Sequence, residues 1–149
     1  MTPQSVWQQM RNIFESVEGQ VAKDLHRKHG IGLSEYRALQ LLSEAPNSEL
    51  RMQELANQLS LNQSSVTRLV ERMERNDYTV RDVCPNDKRG VYAVLTNHGR
   101  QIQTEVNNEY DNYLKSALDE VSLKHENQPI ANCLRQIVSG SSLVSNILV

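Results

Sequence analysis

Between Gln63 and Arg72 the chain lines up short hydrogen-bonding side chains and guanidinium groups: Gln63, Ser64, Ser65, Thr67, Arg68 and Arg72. Hydroxyls and amides donate and accept at close range, and an arginine offers parallel N–H donors in a rigid fork. Such a set suits contact with base edges and phosphate oxygens. A second group stands at Pro85-Asn86-Asp87-Lys88-Arg89-Gly90. There Lys88 is a candidate phosphate contact, and Arg89 a guanidinium that would gain from the negative potential of a narrow minor groove. Asp87, two residues from Arg89, can brace it by an ion pair. The chain shows no histidine–carboxylate–nucleophile grouping, no phosphate loop and no metal cage, so neither an enzyme nor a cofactor is expected.

Two helical patterns position the first group. Met52 to Ser60 (MQELANQLS) and Ser64 to Asn76 (SSVTRLVERMERN) flank the turn Ser60-Leu61-Asn62. Leu55, Leu59, Leu61, Val66 and Leu69 are the expected core between them, with Ala56 small enough to let the second helix approach. Asn62 is the expected cap of the second helix. The charged loop is positioned by two strand patterns, TVRDVC and VYAVLT, in which Val91, Ala93 and Leu95 alternate onto one face and Val83 is expected to join them. Helix, turn, helix, then a hairpin with cations at its tip is a winged helix-turn-helix pattern. In that shape a helix enters the major groove and the wing the adjacent minor groove.

The flanks are helical. Val6, Met10, Ile13, Phe14, Val17, Val21 and Leu25 recur at steps of three and four up to Gly30-Ile31-Gly32, with Thr2-Pro3 as the expected start. Ser34 is the expected cap of a second helix that stops near Pro46-Asn47. Thr96-Asn97 reopens a long helix carrying Ile102, Val106, Tyr110, Tyr113, Leu114, Ala117, Leu118 and Val121, and a last one follows the break from Lys124 to Pro129. The uncharged tail from Ser139 to Val149 is expected to fray or to lie on a partner. The expected fold class is mainly α with a small β-hairpin wing. Residues 34–96 form the winged helix-turn-helix, and 1–33 with 97–149 form a helical dimerisation region.

The 149 residues carry a net charge of −2, which argues against nucleic-acid binding until it is divided. Residues 51–100 hold eight Lys/Arg against six Asp/Glu, whereas both flanks are acidic. Local charge decides where phosphate docks. No apolar run approaches membrane-spanning length, and the first residues are unlike a secretory signal. A cytoplasmic protein without a membrane partner is expected.

The segment LANQLSLNQSSVTRLVERMERNDY at 55–78, Arg81, Asp87-Lys88-Arg89-Gly90 and LTNHGR at 95–100 together resemble the multiple-antibiotic-resistance regulator (MarR) family of bacterial transcription factors. The order of elements agrees over roughly residues 5–138. Asp77 stands where the family commonly has glycine, and Ser60 where glycine is frequent in the wider motif. The resemblance implies a homodimer built by the N-terminal and C-terminal helices. It would read a pseudo-palindromic site in double-stranded DNA and act as a repressor released by a small molecule. It also implies a ligand crevice, for which Tyr36, Arg37, Trp7 and Tyr110 are candidate liners and an aromatic or anionic compound the candidate inducer.

Other features are weaker. Cys84 and Cys133 form no metal pattern and read as packing residues, Cys84 being the better redox candidate because it closes a wing strand. His26 and His29 could share a helix face, but a solvated helix end accounts for them. The expected function is a sequence-specific DNA-binding regulator. The alternative is a winged-helix protein-interaction module that does not bind DNA.

Overall fold

The computed structural model describes residues 2–83, 90–138 and 140, so the loop expectations at Cys84, Asp87, Lys88 and Arg89, and nearly all of the tail, lie outside the described residues. The described residues form α1 (Pro3–His29), α2 (Leu33–Glu44), β1 (Glu49–Arg51), α3 (Met52–Leu59), α4 (Gln63–Arg75), β2 (Thr79–Val83), β3 (Val91–Leu95), α5 (Asn97–Val121) and α6 (Gln128–Val138). They cluster into two compact units, a winged unit over 29–108 and a helical unit made of 1–28 and the chain from 109 onward. The winged helix-turn-helix expected from the sequence is present, and its sheet has a third strand, β1, that the hairpin pattern did not announce.

In the helical unit, α1 starts at Thr2, whose hydroxyl accepts the Ser5 backbone N–H at 3.1 Å, and it ends before Gly30 at φ +67°. Its buried stripe is Ile13, Val17, Val21 and Leu25, while Phe14 and Trp7 stay exposed. Steps of four on one helix place these on a single face. Tyr113, Ala117 and Leu118 of α5 and Ala131 of α6 are also buried. The Tyr113 hydroxyl donates to the Glu109 carboxylate, and Lys28 Nζ lies 5.3 Å from its ring centroid.

The winged unit buries Tyr36, Leu39 and Leu42 of α2, Leu55 and Ala56 of α3, and Val66, Leu69, Val70 and Met73 of α4. Full burial of side chains this size contributes about 1.5–3 kcal/mol each, enough to let the opposite face of α4 be wholly polar. The sheet order is β1-β3-β2, antiparallel throughout, with Arg51 opposite Tyr92 and Val83 opposite Val91. Ala93 and Leu95 are buried as expected, but Val91 and Val83 are exposed, Val83 at 65%. Both stand at the far end of the hairpin, paired with each other across the strands. The expected Ser34 cap is also corrected: the cap position is Gly32, two residues earlier, with no side-chain bond, and α2 begins at Leu33.

Three turns set directions. α3 and α4 each close on a left-handed residue, Ser60 (φ 55°) and Asp77 (φ 60°). In each case the next residue donates back across the last turn, Leu61 N–H to Ala56 O and Tyr78 N–H to Met73 O, both at 2.9 Å. These are the paired bonds that satisfy a helix's last carbonyls. At the entry to α5, Thr96 Oγ1 accepts from Gly99 N–H at 2.9 Å. A Cβ on Gly99 would lie 2.1 Å from the Tyr78 carbonyl oxygen. Because that neighbour is backbone, the clash cannot be relieved by a rotamer change.

Gly99→Ala is therefore expected to destabilise the protein by about 1–3 kcal/mol, the usual cost of overpacking, read from denaturant unfolding. A second expectation concerns pH. Burial first, then the Glu109 hydrogen bond and charge, push the Tyr113 phenol from its ordinary 10 to about 12. Its neutral form is favoured by folding, so this stabilisation is complete below pH 10 and is lost as pH rises through 12. Phenolate absorbance should show Tyr113 titrating late, and Glu109→Gln should bring it part of the way back without restoring the ordinary value, since burial remains.

Candidate nucleic-acid interface

The recognition segment begins where Asn62 ends the turn. Asn62 has extended backbone, and its side-chain oxygen accepts the Ser65 N–H at 2.8 Å, the expected cap. Met73, Val70, Leu69 and Val66 fix the inward face of α4, so the polar positions are forced outward. Gln63, Ser64, Arg68 and Arg72 are exposed, and Ser65 and Thr67 are half-buried. Thr67 Oγ1 donates to Gln63 O at 2.8 Å, which holds the hydroxyl against the helix with an acceptor lone pair to spare. Arg68 has no partner among the described residues. All six sequence candidates on α4 thus come together in roughly the first three turns of one helix, whose N-terminus also favours anions.

Arg72 differs from Arg68. Its Nε lies 3.5 Å from Glu35 Oε1, a contact that ties α4 to α2. Its charge is therefore shared inside the protein, and it acts partly as a strut. Tyr78, just past α4, has its phenol pKa raised, chiefly by burial and then by Glu35.

Beside the N-terminal end of α4 lies a polar cleft of about 420 Å³, lined by Arg51, Met52, Gln53, Gln63, Thr67, Arg81 and Val91. Arg81 is held by both oxygens of Glu74, with Nη2 to Oε2 at 3.1 Å. Arg51 donates from Nε to the Tyr92 hydroxyl at 2.9 Å, and its guanidinium carbon lies 5.6 Å from the Tyr92 ring centroid. Sequence reasoning missed this pair. Arg51 entered it only as one charge among eight, and its partner lies 41 residues away. The signal was the uninterrupted Glu49-Leu50-Arg51, too short to show strand alternation.

The ligand candidates are divided between the two units. Tyr36 is buried in the winged unit and its hydroxyl donates to Asn107 Oδ1 at 3.0 Å, while Arg37 is exposed. In the helical unit, Trp7 is 63% exposed and Tyr110 half-buried. Cys133 is exposed, not packed as expected. His26 is exposed and His29 half-buried, and no group of three or more His, Cys, Asp or Glu side chains able to hold a metal occurs among the described residues. No helix among them is long and apolar enough to cross a membrane.

The exposed polar turns of α4, standing beside a three-stranded wing, agree with what comparison finds. The MarR family model matches residues 31–91. The winged module of this chain is a MarR-family module. Over 89 residues the chain is 35% identical to the HTH-type transcriptional regulator YkoM of Bacillus subtilis, a match covering 59% of this chain and 55% of that protein. The chain spans about half the length of the curated relatives it matches. Among solved structures it is similar to Sco3205, a MarR family transcriptional regulator from Streptomyces coelicolor in complex with DNA. There the TM-score is 0.73 and the identity 27%, covering 92% of this chain and 86% of that one. It is also similar to NadR in complex with 4-hydroxyphenylacetate, with TM-score 0.61 and 28% identity, covering 87% and 89% of the two chains.

The Asn62 cap is expected to matter for the whole interface. Asn62→Ala should cost about 0.5–2 kcal/mol in unfolding free energy, with loss of helix at the start of α4 rather than elsewhere. Amide exchange at Gln63 to Val66 would check the location; unchanged protection there would contradict it.

Proposed function

We propose that this chain is a sequence-specific DNA-binding transcriptional regulator that works as a homodimer, a repressor released by a small aromatic or anionic molecule. The observation that carries this reading is the outward-facing set Gln63, Ser64, Ser65, Thr67 and Arg68 on a helix capped by Asn62, with a wing beside it. Side chains of this kind at a helix N-terminus fit base edges and phosphates in a major groove. Arg72, partly engaged by Glu35, would add a phosphate contact. From the sequence alone, Lys88 and Arg89 at the wing tip are proposed as phosphate and minor-groove contacts, with Asp87 bracing Arg89.

The dimer is supported by apolar side chains left uncovered in the helical unit: Trp7 and Phe14, seven residues apart on α1, together with Leu123 and Ile137. A two-fold pair would read a pseudo-palindrome with its recognition helices about 34 Å apart. The ligand reading is supported by the similarity to NadR, whose complex holds 4-hydroxyphenylacetate. Tyr36, Arg37, Trp7 and Tyr110 remain the proposed liners.

Binding to the DNA upstream of its own gene tests this reading against the protein-interaction alternative. With roughly three to four phosphate contacts per protomer, a dimer should show a log–log salt slope of about −5 to −7. A flat response without sequence preference would favour the interaction module. Arg68→Ala is expected to cost about 1–3 kcal/mol per half-site and to relax sequence preference at one position. Weakening that is equal on all sequences would make Arg68 a phosphate contact instead.

A further inference from the structure

A cation that is paired inside the protein and also faces DNA has two anions to choose from, its own carboxylate and the incoming phosphate. The geometry of the internal pair decides how readily it changes over. Two arginines of the winged unit are paired with glutamates across elements. Arg81 is gripped by both oxygens of Glu74, through Nε and Nη2. Arg72 meets Glu35 through one approach, Nε to Oε1 at 3.5 Å. A charge-assisted N–H···O bond closes to about 2.7–2.9 Å, so the second pair is loose. We propose that Glu35 sets how much of Arg72 is available to DNA: it holds the guanidinium against α2 in the free protein, and a backbone phosphate takes Arg72 over on binding. The inference rests on the DNA-binding reading and adds to it a residue, outside the recognition helix and the wing, that limits affinity.

Three observations support this exchange. The first is the place of Arg72. It stands four residues after Arg68 and seven after Ser65 on α4, spacings that share one helix face. That is the outward face of the recognition segment. The second is the unequal exposure of the two partners. The Arg72 side chain is 47% exposed and the Glu35 side chain 13%. A phosphate can therefore reach the guanidinium, while the carboxylate stays behind it.

The third is what remains beside Glu35 when Arg72 turns away. Glu35 lies in the first turn of α2, whose cap residue Gly32 makes no side-chain bond. Its Oε1 is 3.6 Å from the place a Cβ on Gly32 would take, so the carboxylate lies over the start of the helix. A helix N-terminus favours negative charge, and the acid keeps this stabilising neighbour without the arginine. The exchange has a direct electrostatic consequence. Beside Glu35, Arg72 offers a phosphate half of a neutral pair. With that charge removed it would offer a whole cation and neutralise the phosphate more fully.

The test measures binding of the full chain to its upstream duplex and to a scrambled duplex of equal length across a salt series. Glu35→Gln keeps the shape and removes the charge. It should tighten both complexes about threefold and steepen the slope by at most about one per bound protomer. Glu35→Asp keeps the charge but draws it back by one methylene, and should tighten both by less. Arg72→Gln should weaken both about tenfold and flatten the slope, as loss of a phosphate contact does. In the Arg72→Gln background, Glu35→Gln should bring no gain, because the gain acts through Arg72.

If the parent binds and neither Glu35 variant tightens binding, this inference alone is overturned. A Glu35→Gln gain that persists in the Arg72→Gln background would also overturn it, since removal of any acid near DNA would then account for the effect. A parent that binds neither duplex would overturn the inference together with the reading beneath it.

Discussion

The geometry of the winged unit hangs on Thr96. Its N–H donates to the Tyr78 carbonyl at 3.0 Å, and its hydroxyl reaches the Asp77 carbonyl at 2.6 Å while accepting from Gly99 N–H at 2.9 Å. One residue thus joins the end of α4, the start of β2, the end of β3 and the first turn of α5. Gly99 lets the α5 backbone come against the Tyr78 carbonyl, where no side chain fits. The direction of the wing relative to the recognition helix follows from this knot. So does its register: Thr79 opposite Leu95 is the first pair beyond it, and a slip of one residue would turn Ala93 and Leu95 out of the core.

Given that frame, the acids of the winged unit take on a specific role. Glu74 grips Arg81 and Glu35 engages Arg72, each joining two elements through a guanidinium. Glu74 lowers the net positive charge of residues 51–100 and Glu35 adds a negative charge beside it, yet both hold arginines in place. Arg51 meets the hydroxyl and ring of Tyr92, and Arg68 has no partner among the described residues. Exposed pairs contribute little to stability, so their value lies in orientation. An overall acidic chain can in this way keep a few well-aimed cations, and counting charge by region underestimates how differently individual arginines are used.

How much of this was legible in the sequence depended on the range of the interaction. The Asn62 cap, the inward stripe Val66 and Leu69, and the tolerance of Asp77 for a left-handed turn are local, and each could be read from a few adjacent residues. Ser34 was misread because a serine near a helix start is a cap only if the backbone turns there, and α2 already begins at Leu33 after an extended Gly32. β1 escaped notice because three residues cannot display alternation, and its status as a strand comes wholly from pairing with β3. The Arg51–Tyr92 contact escaped with it, since it exists only once that register is set. Val83 was placed in the core by alternation alone. Alternation assigns a face but cannot say where along the strand the covering helices stop.

The winged and helical units also differ in which apolar groups they leave in water, and the difference bears on how the chain would assemble. In the winged unit the large exposed ones are Val80, Val83 and Val91, all in the hairpin strands. β-branched residues suit extended backbone whether or not they are covered, so strand preference accounts for them. In the helical unit the exposed set includes Trp7 and Phe14, whose size gives them the most to gain from burial and whose helix preference is unremarkable. Seven residues apart, they share a face next to half-buried Met10. Local structure gives no reason for aromatic rings there, and cover by another surface does. Reading in the winged unit is thus built from polar groups held in place within it. Assembly through the helical unit would draw on apolar groups that its own packing leaves unsatisfied.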